Sequence, residues 1–316
     1  MPNPLVQPHQ QASSVSRASG RLVRSVLLFF SGLWACTTPV SPSPMAQEAT
    51  STVPLTQVFV EPELLLQRPD IVWLDARSSA DYARAHIPGA VSAPWQQFTT
   101  GAQSGLLVGT EELQRSIQAL GVGASDTVVV YGAWDEAWGE EGRLFWMLEY
   151  AGHSDVHILR GGFDAWTAAG GNTDRSVPTP AAGTFVVRPR PELRATRDEV
   201  ALAGSEVTIL DTRTAEEYQG AMWYNEARGG HVPGAMHTAW QSFLEGATSP
   251  DTARAVLQEA GISPDRPVIA YCTGGIRSGF VYAVLRAAGV EQVANYDGSW
   301  WEWAADPSLP IALPEP

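Results

Sequence analysis

The sequence contains no lysine, so each of its 20 fixed basic charges is an arginine. Acidic residues outnumber them: 34 Asp and Glu give a formal net charge of −14. Nucleic acids are therefore excluded as expected partners, because binding to phosphates requires a basic surface. An anionic substrate would have to be held by arginine, by backbone amides or by the amino terminus of a helix.

Cysteine is nearly absent, since the 316 residues include only Cys36 and Cys272. Two cysteines cannot form a disulfide framework of the kind found in small secreted domains. A structural zinc site normally needs four ligands, so it is not expected either. Each of the two cysteines must therefore be explained separately.

The apolar run near the amino terminus, Val26–Phe30, is too short to span a bilayer. A basic segment between residues 17 and 24 precedes it and a small residue follows it, as is typical of an export signal. Leu33-Trp34-Ala35-Cys36 resembles the bacterial lipobox, which implies a lipid on Cys36 and a periplasmic protein anchored to a membrane by that lipid alone. Cleavage after Met45-Ala46, without a lipid, is the alternative.

The rest of the chain contains one pattern twice. Four segments return in the same order: Trp73–Arg77 as Ile209–Arg213, His86–Ala90 as His231–Ala235, Val128–Gly132 as Pro267–Cys272, and Gly161–Trp166 as Asp297–Trp303. Four ordered matches indicate a duplicated domain. We expect four regions: a signal peptide over 1–36, a flexible tether rich in Ser, Pro and Thr over 37–54, and domains over 55–184 and 185–316.

Each copy alternates strand-like and helix-like segments. The β-branched runs Val128–Tyr131 and Val268–Tyr271 predict buried strands. Amphipathic segments followed by glycine predict helices over Glu111–Leu120, Arg143–Ala151, Thr252–Ala260 and Ser278–Ala288. This alternation predicts an α/β fold in which each half has a mainly parallel sheet flanked by helices.

The segment from Cys272 to Ser278 lies between a predicted strand and a predicted helix, at the edge where such sheets bind ligands. Gly274 and Gly275 allow successive backbone amides to point inward, and the next helix directs its free N–H groups at the loop. A thiolate there is stabilised and becomes nucleophilic near neutral pH. Arg277 adds a fixed positive charge. Cys272 is therefore the predicted catalytic residue.

Together with this loop, the duplicated Asp-x-Arg, the duplicated His-Ile/Val-Pro-Gly-Ala and the segment Tyr296–Trp303 resemble the tandem rhodanese family over about residues 55–312. The resemblance implies two tandem rhodanese-like domains, of which the first is inactive because Gly132 occupies the position of Cys272. It implies sulfur transfer from a small anionic donor, thiosulfate, through a Cys272 persulfide to cyanide or a thiol, without a metal or organic cofactor. The predicted substrate-binding residues are Thr273, Gly274, Gly275, Ile276, Arg277 and Ser278 in the loop, with Arg213, Arg228 and Trp240 outside it.

Alternatives differ in donor or in class. A 3-mercaptopyruvate donor is less favoured because Glu217 occupies a position that is often basic in the family. A phosphatase or arsenate reductase of this fold has five residues between Cys and Arg, and here four intervene. A non-catalytic binding module is disfavoured by the intact Cys272 loop. The recurring Asp-x-Arg pairs and the recurring His86 and His231 are predicted to be structural, since the half without a thiol keeps them.

Overall fold

Parallel strands form the centre of both halves in the computed structural model, which describes residues 55–101 and 103–313. The strands are β1 Phe59–Val60, β2 Ile71–Asp75, β3 Val91–Ser92, β4 Thr99–Gly101, β5 Ser104–Leu107, β6 Thr127–Tyr131, β7 Val156–Leu159, β8 Thr208–Asp211, β9 Met236–His237, β10 Val268–Tyr271 and β11 Val293–Asn295. One parallel sheet has the order β1-β7-β6-β2-β3 and the other β11-β10-β8-β9, while β4 and β5 form an antiparallel pair. The predicted α/β fold class is confirmed.

Helices α1 to α8 lie on the connections between strands, and α9 follows the last strand. They are α1 Ser79–Arg84, α2 Thr110–Ala119, α3 Glu140–Tyr150, α4 Gly162–Ala168, α5 Arg197–Ala201, α6 Ala215–Tyr218, α7 Pro250–Glu259, α8 Arg277–Ala287 and α9 Ser299–Ala305. Single 3₁₀ turns occupy Pro62–Leu64, Trp95–Phe98, Trp134–Glu136, Pro191–Leu193, Trp240–Phe243 and Glu245–Thr248. The four predicted helices are present as α2, α3, α7 and α8, each starting one to three residues before its predicted start.

Glycine ends these four helices, as predicted. The φ angles are +83° at Gly121, +97° at Gly152, +71° at Gly261 and +90° at Gly289. Residues with side chains rarely adopt this left-handed conformation, and it allows the chain to turn away at the end of a helix.

Helices α3 and α8 join the two halves. A methyl group on Gly142 would overlap the backbone of Phe280, and one on Gly279 would lie 2.8 Å from the Cα of Arg143. The two backbones therefore approach as closely as glycine permits. Around this crossing, one continuous hydrophobic core includes buried side chains of both halves, among them Phe145 and Tyr282. The first half thus packs directly against the helix that follows the Cys272 loop.

The recurring Asp-x-Arg pairs are structural, as predicted. Arg77 pairs with Asp75 and Arg213 pairs with Asp211, each at 2.6 Å and away from solvent. In both copies the arginine also donates to a backbone carbonyl further along the chain, at 2.7 Å. The pairs anchor the loops that follow β2 and β8.

The recurring histidines are structural as well. Nδ1 of His86 lies 2.9 Å from the carbonyl of Tyr82, and Nδ1 of His231 lies 2.9 Å from the carbonyl of Tyr218. Each imidazole stacks on its tyrosine ring, with centroids 3.9 and 3.6 Å apart. This confirms the prediction for both histidines.

The segment that connects the halves follows the surface of the first half. Phe185 and Val187 are buried, and the N–H of Arg190 still donates to the carbonyl of Tyr150.

The domain boundary near residue 185 stays a prediction. The predicted signal and tether, with Cys36, lie outside the described residues. Within the described ranges, no helix combines the length and the apolar character needed to cross a membrane.

Candidate active site

Cys272 directly follows β10, at the carboxyl edge of the second sheet, and is 1% exposed. The N–H of Gly275 donates to the Cys272 Sγ at 3.1 Å. Gly275 reaches this position with a φ of +80°, which favours glycine. Five residues after the cysteine, α8 begins at Arg277 with its amino terminus beside the loop. The predicted strand–loop–helix arrangement is present.

The environment of Cys272 favours the thiolate. Burial by itself raises the pKa of the thiol, but the charge of Arg277 and hydrogen bonds from the backbone N–H groups of Ser278 and Gly274 bring the pKa below its ordinary value. Positive charge and N–H donors around a buried sulfur stabilise its ionised form. Cys272 is therefore more readily ionised, and more nucleophilic, than an ordinary cysteine.

Arg277 is held in a buried network with Glu217 and Thr273. Its Nη1 and Nη2 donate to the two carboxylate oxygens of Glu217 at 2.6 and 2.8 Å. Nη2 also donates to the Thr273 hydroxyl at 2.5 Å, and that hydroxyl donates to Glu217 at 2.7 Å. The guanidinium is thus a fixed, partly neutralised charge beside the loop.

Glu217 was not predicted to contact the loop. Burial alone would raise the pKa of Glu217, but its hydrogen bonds and ion pair with Arg277 lower it to about 2, so the carboxylate is ionised. The sequence carried a signal for this position, because Thr214 and Glu217 form a capping box at the start of α6. A capping box directs the glutamate back toward the end of β8, which lies beside β10.

The first residues of α9 contact the Cys272 loop through hydrogen bonds and packing. The Cys272 N–H donates to the Ser299 hydroxyl at 3.1 Å, and the Trp300 N–H donates to the Cys272 carbonyl at 3.0 Å. Ser299 has a φ of +51°, a rare conformation for a residue with a side chain. The indole of Trp301 fills the space beside Gly274, so that a methyl group there would overlap the ring. Trp301 therefore lines the loop.

Both halves contribute to the surroundings of the loop. The guanidinium carbon of Arg277 lies 5.2 Å from the ring centroid of Trp138, in the first half, and 5.8 Å from that of Tyr224. The two rings meet edge to face, with centroids 5.7 Å apart. In addition, the first-half residue Gly105 packs against the Gly274 carbonyl so closely that a methyl group would overlap it.

Three residues predicted to bind substrate make other contacts in the structure, and their role in binding substrate stays a prediction. Arg213 is fully buried in its ion pair with Asp211. Arg228 donates from its guanidinium nitrogens to four backbone carbonyls at the end of α9 and just beyond it. Trp240 is buried in the core, with its ring centroid 5.6 Å from that of Phe280. The remaining predicted residues are the loop itself, where the Ser278 hydroxyl bonds to the Asn295 side chain at 2.6 Å.

The matching position in the first half is filled by a carboxyl group. A methyl group on Gly132 would overlap the Glu141 carboxyl. Burial, followed by the charge of Glu140, raises the pKa of Glu141 to about 8. Among the described residues, neither Glu141 oxygen has a hydrogen-bond partner. A cysteine at this position would displace Glu141.

Within residues 55–101 and 103–313, no three His, Cys, Asp or Glu side chains are grouped to hold a metal ion.

Comparison with known proteins agrees with this geometry. A family model described as a rhodanese-like domain matches the chain twice, over residues 61–169 and 195–306. A thiosulfate sulfurtransferase of Pseudomonas aeruginosa is 36% identical over 267 residues, which cover 81% of this chain and 97% of that protein. One from Azotobacter vinelandii is 33% identical over 276 residues, covering 83% and 98%. The crystal structure of SseA from Escherichia coli, reported as a 3-mercaptopyruvate sulfotransferase, is similar to this chain with a TM-score of 0.68. The two are 27% identical in sequence, and the match covers 78% of this chain and 99% of SseA.

Proposed function

This chain belongs to the rhodanese family, and we propose that it is a thiosulfate sulfurtransferase that carries the transferred sulfur on Cys272. The observation that supports the proposal most directly is the Gly275 N–H bonded to Sγ at 3.1 Å in the loop before α8. A buried sulfur would normally stay protonated, and here the loop amides and Arg277 favour the thiolate. The experiment that tests the proposal is transfer of sulfur from thiosulfate to cyanide, with intact mass measured between the two steps.

The reaction has two displacements at sulfur. The Cys272 thiolate attacks the outer sulfur of thiosulfate, the sulfur–sulfur bond of the donor breaks, and its electron pair leaves with sulfite. The persulfide on Cys272 keeps a terminal negative charge, which the loop N–H groups stabilise. Cyanide or a thiolate then attacks the outer sulfur, and the Cys272 thiolate leaves with the electron pair of the broken bond. Sulfur is transferred without a net change in the protein.

The surroundings of the loop favour thiosulfate over 3-mercaptopyruvate. Thiosulfate is compact, so backbone N–H groups at the start of α8 can hold its oxygens. Mercaptopyruvate carries a carboxylate at some distance from its sulfur and benefits from a second cation. Arg277 is paired with Glu217, while Arg213 and Arg228 are engaged elsewhere.

We expect kcat/KM to be higher for thiosulfate than for 3-mercaptopyruvate by roughly tenfold or more, because a missing charge-assisted contact costs about 1.5–3 kcal/mol. Glu217→Gln releases the charge of Arg277 and should shift this ratio toward mercaptopyruvate. The measurement is steady-state kinetics of both donors with cyanide as the shared acceptor. A wild-type preference for mercaptopyruvate would support the alternative donor, and an unaltered ratio in Glu217→Gln would remove the electrostatic explanation.

We also propose that the protein is exported to the periplasm and anchored there by a lipid on Cys36. The basic segment, the apolar run Val26–Phe30 and Leu33–Cys36 support this proposal. The full-length protein is expected to enter the detergent phase with membranes, and Cys36→Ala should block the lipid-linked processing. A wild-type protein that stays in the aqueous phase with its amino terminus near Gln47 would indicate ordinary signal cleavage instead.

A further inference from the structure

Arg143 belongs to the half without the cysteine, and its side chain reaches the Cys272 loop. It lies in the first turn of α3, at the closest approach to α8, and is 1% exposed. One guanidinium nitrogen donates to the Gly275 carbonyl at 3.3 Å, and another donates to the carbonyl of Gly105. Arg143 therefore links two glycine carbonyls, one from each half.

Both backbone polar groups of Gly275 are used in the site. Its N–H donates to the Cys272 sulfur, and its carbonyl accepts from Arg143 and from the Asn295 side chain, the latter at 3.0 Å. A glycine has no side chain to restrict its backbone, so its peptide groups rotate easily unless neighbours hold them. Two donors on the carbonyl hold the residue and thereby keep its N–H directed at the sulfur.

Arg143 also brings a positive charge to Gly275, the residue whose N–H donates to the sulfur. Burial lowers the pKa of Arg143 to about 10, while the negative charges of Asp297 and of the Cys272 thiolate act to raise it. The guanidinium is therefore charged at neutral pH. The interaction is mutual, so the same charge favours the ionised form of Cys272.

We propose that Arg143 is a positioning residue for sulfur transfer: the half without a thiol supplies the guanidinium that holds the Gly275 peptide against the reacting sulfur. The inference rests on the proposed sulfurtransferase function. It assigns the first half a part in the reaction, because removing this one side chain would leave the Gly275 carbonyl with Asn295 as its remaining side-chain donor and withdraw a positive charge from the loop.

The test compares Arg143→Gln and Arg143→Lys with Met147→Ala, a control for lost stability. Met147 lies one turn further along α3, is 1% exposed and belongs to the hydrophobic core. The rate of Cys272 alkylation by iodoacetamide is measured against pH, which gives the pKa of the thiol, and kcat and KM are measured with thiosulfate and cyanide. Thermal unfolding of each variant is recorded alongside.

Arg143→Gln is expected to raise the pKa of the Cys272 thiol and to lower kcat by roughly 10- to 100-fold, the effect of losing one charge-assisted hydrogen bond that positions the loop. Arg143→Lys keeps the charge and loses one carbonyl contact, so the thiol pKa should return toward the wild-type value while kcat stays reduced. Met147→Ala should lower Tm and leave the thiol pKa unchanged.

The proposal is overturned if Arg143→Gln has the alkylation profile of the wild type, or if Met147→Ala shifts that profile equally. Should Arg143→Gln not fold, Arg143→Lys decides, and a wild-type kcat in that variant overturns the proposal. Alkylation requires no sulfur donor. A wild-type protein that thiosulfate does not load would contradict the proposed function, while the alkylation profiles would still report on Arg143.

Discussion

Replacing Cys272 with serine is expected to abolish the transfer of sulfur from thiosulfate to cyanide while the protein remains folded. A serine hydroxyl is not ionised near neutral pH and cannot form a persulfide, so the loss should be on the order of 10³-fold or more. The change is small in volume, and the backbone contacts of residue 272 with Ser299 and Trp300 do not involve the sulfur. Thiocyanate formation measures the activity, and circular dichroism with a thermal melt measures the fold.

Cys36→Ser is the matched control, because it replaces the other cysteine of the chain. It should leave the rate of thiocyanate formation at the wild-type value. Activity near the wild-type level in Cys272→Ser, with loss of activity in Cys36→Ser, would show that Cys36 and not Cys272 is the nucleophile.

Arg277→Ala is expected to lower kcat/KM for thiosulfate by roughly tenfold to a thousandfold, because it removes the positive charge that stabilises the Cys272 thiolate. It should also destabilise the fold, because it leaves the buried Glu217 carboxylate without its cation. Breaking a buried ion pair by removing one partner costs about 3–5 kcal/mol. Steady-state kinetics and denaturant unfolding measure the two effects.

A second substitution separates activity from stability in this pair. Arg277→Ala combined with Glu217→Gln removes the unpaired carboxylate, so much of the free energy of unfolding should return while kcat/KM stays low. Recovery of both in the double variant would show that Arg277 only holds the fold. Wild-type kinetics in the single variant would show that its charge does not act on the sulfur.

The stability effect should depend on pH in a direction set by Glu217. In the wild type the pKa of Glu217 is lowered to about 2, so its contribution is fully present above its ordinary value of 4.5 and is lost as the pH falls toward 2. In Arg277→Ala, burial without a cation raises that pKa, and protonation relieves the cost. The difference in unfolding free energy between the two proteins should therefore be smaller at pH 5 than at pH 8.

The Cys272 loop could be predicted from sequence because its parts are contiguous. A β-branched strand, two glycines and an amphipathic segment determine where the cysteine, the amides and the helix terminus lie. The duplication added that Gly132 replaces the cysteine in the other copy. These features depend on the backbone preferences of neighbouring residues, and such preferences can be read from a short stretch of sequence.

The partners of the loop come from distant parts of the chain. Arg143 contacts Gly275 across 132 positions, and Glu217 contacts Arg277 across 60. No local sequence pattern indicates either contact. The capping box of Thr214 and Glu217 indicates only that the Glu217 carboxylate points back toward the start of α6. Arg143 contacts the loop because α3 packs on α8, and this packing can be seen only in the folded structure.

Arg213 and Arg228 show why arginine roles are hard to predict from composition alone. With lysine absent, every structural cation must also be an arginine. Arg228 binds carbonyls at the end of α9, and the carboxyl end of any helix attracts positive charge. Arg213 serves the duplicated ion pair. Two arginines near the ligand edge are therefore used for folding, and a third, Arg277, lies beside the nucleophile.

Intact mass spectrometry of the protein after incubation with thiosulfate tests the central claim most directly. Once excess donor is removed, the wild type should carry one additional sulfur atom, Cys272→Ser should carry none, and cyanide should remove the sulfur from the wild type. A wild-type protein of unchanged mass, or an added sulfur that persists in Cys272→Ser, would contradict sulfur transfer through Cys272.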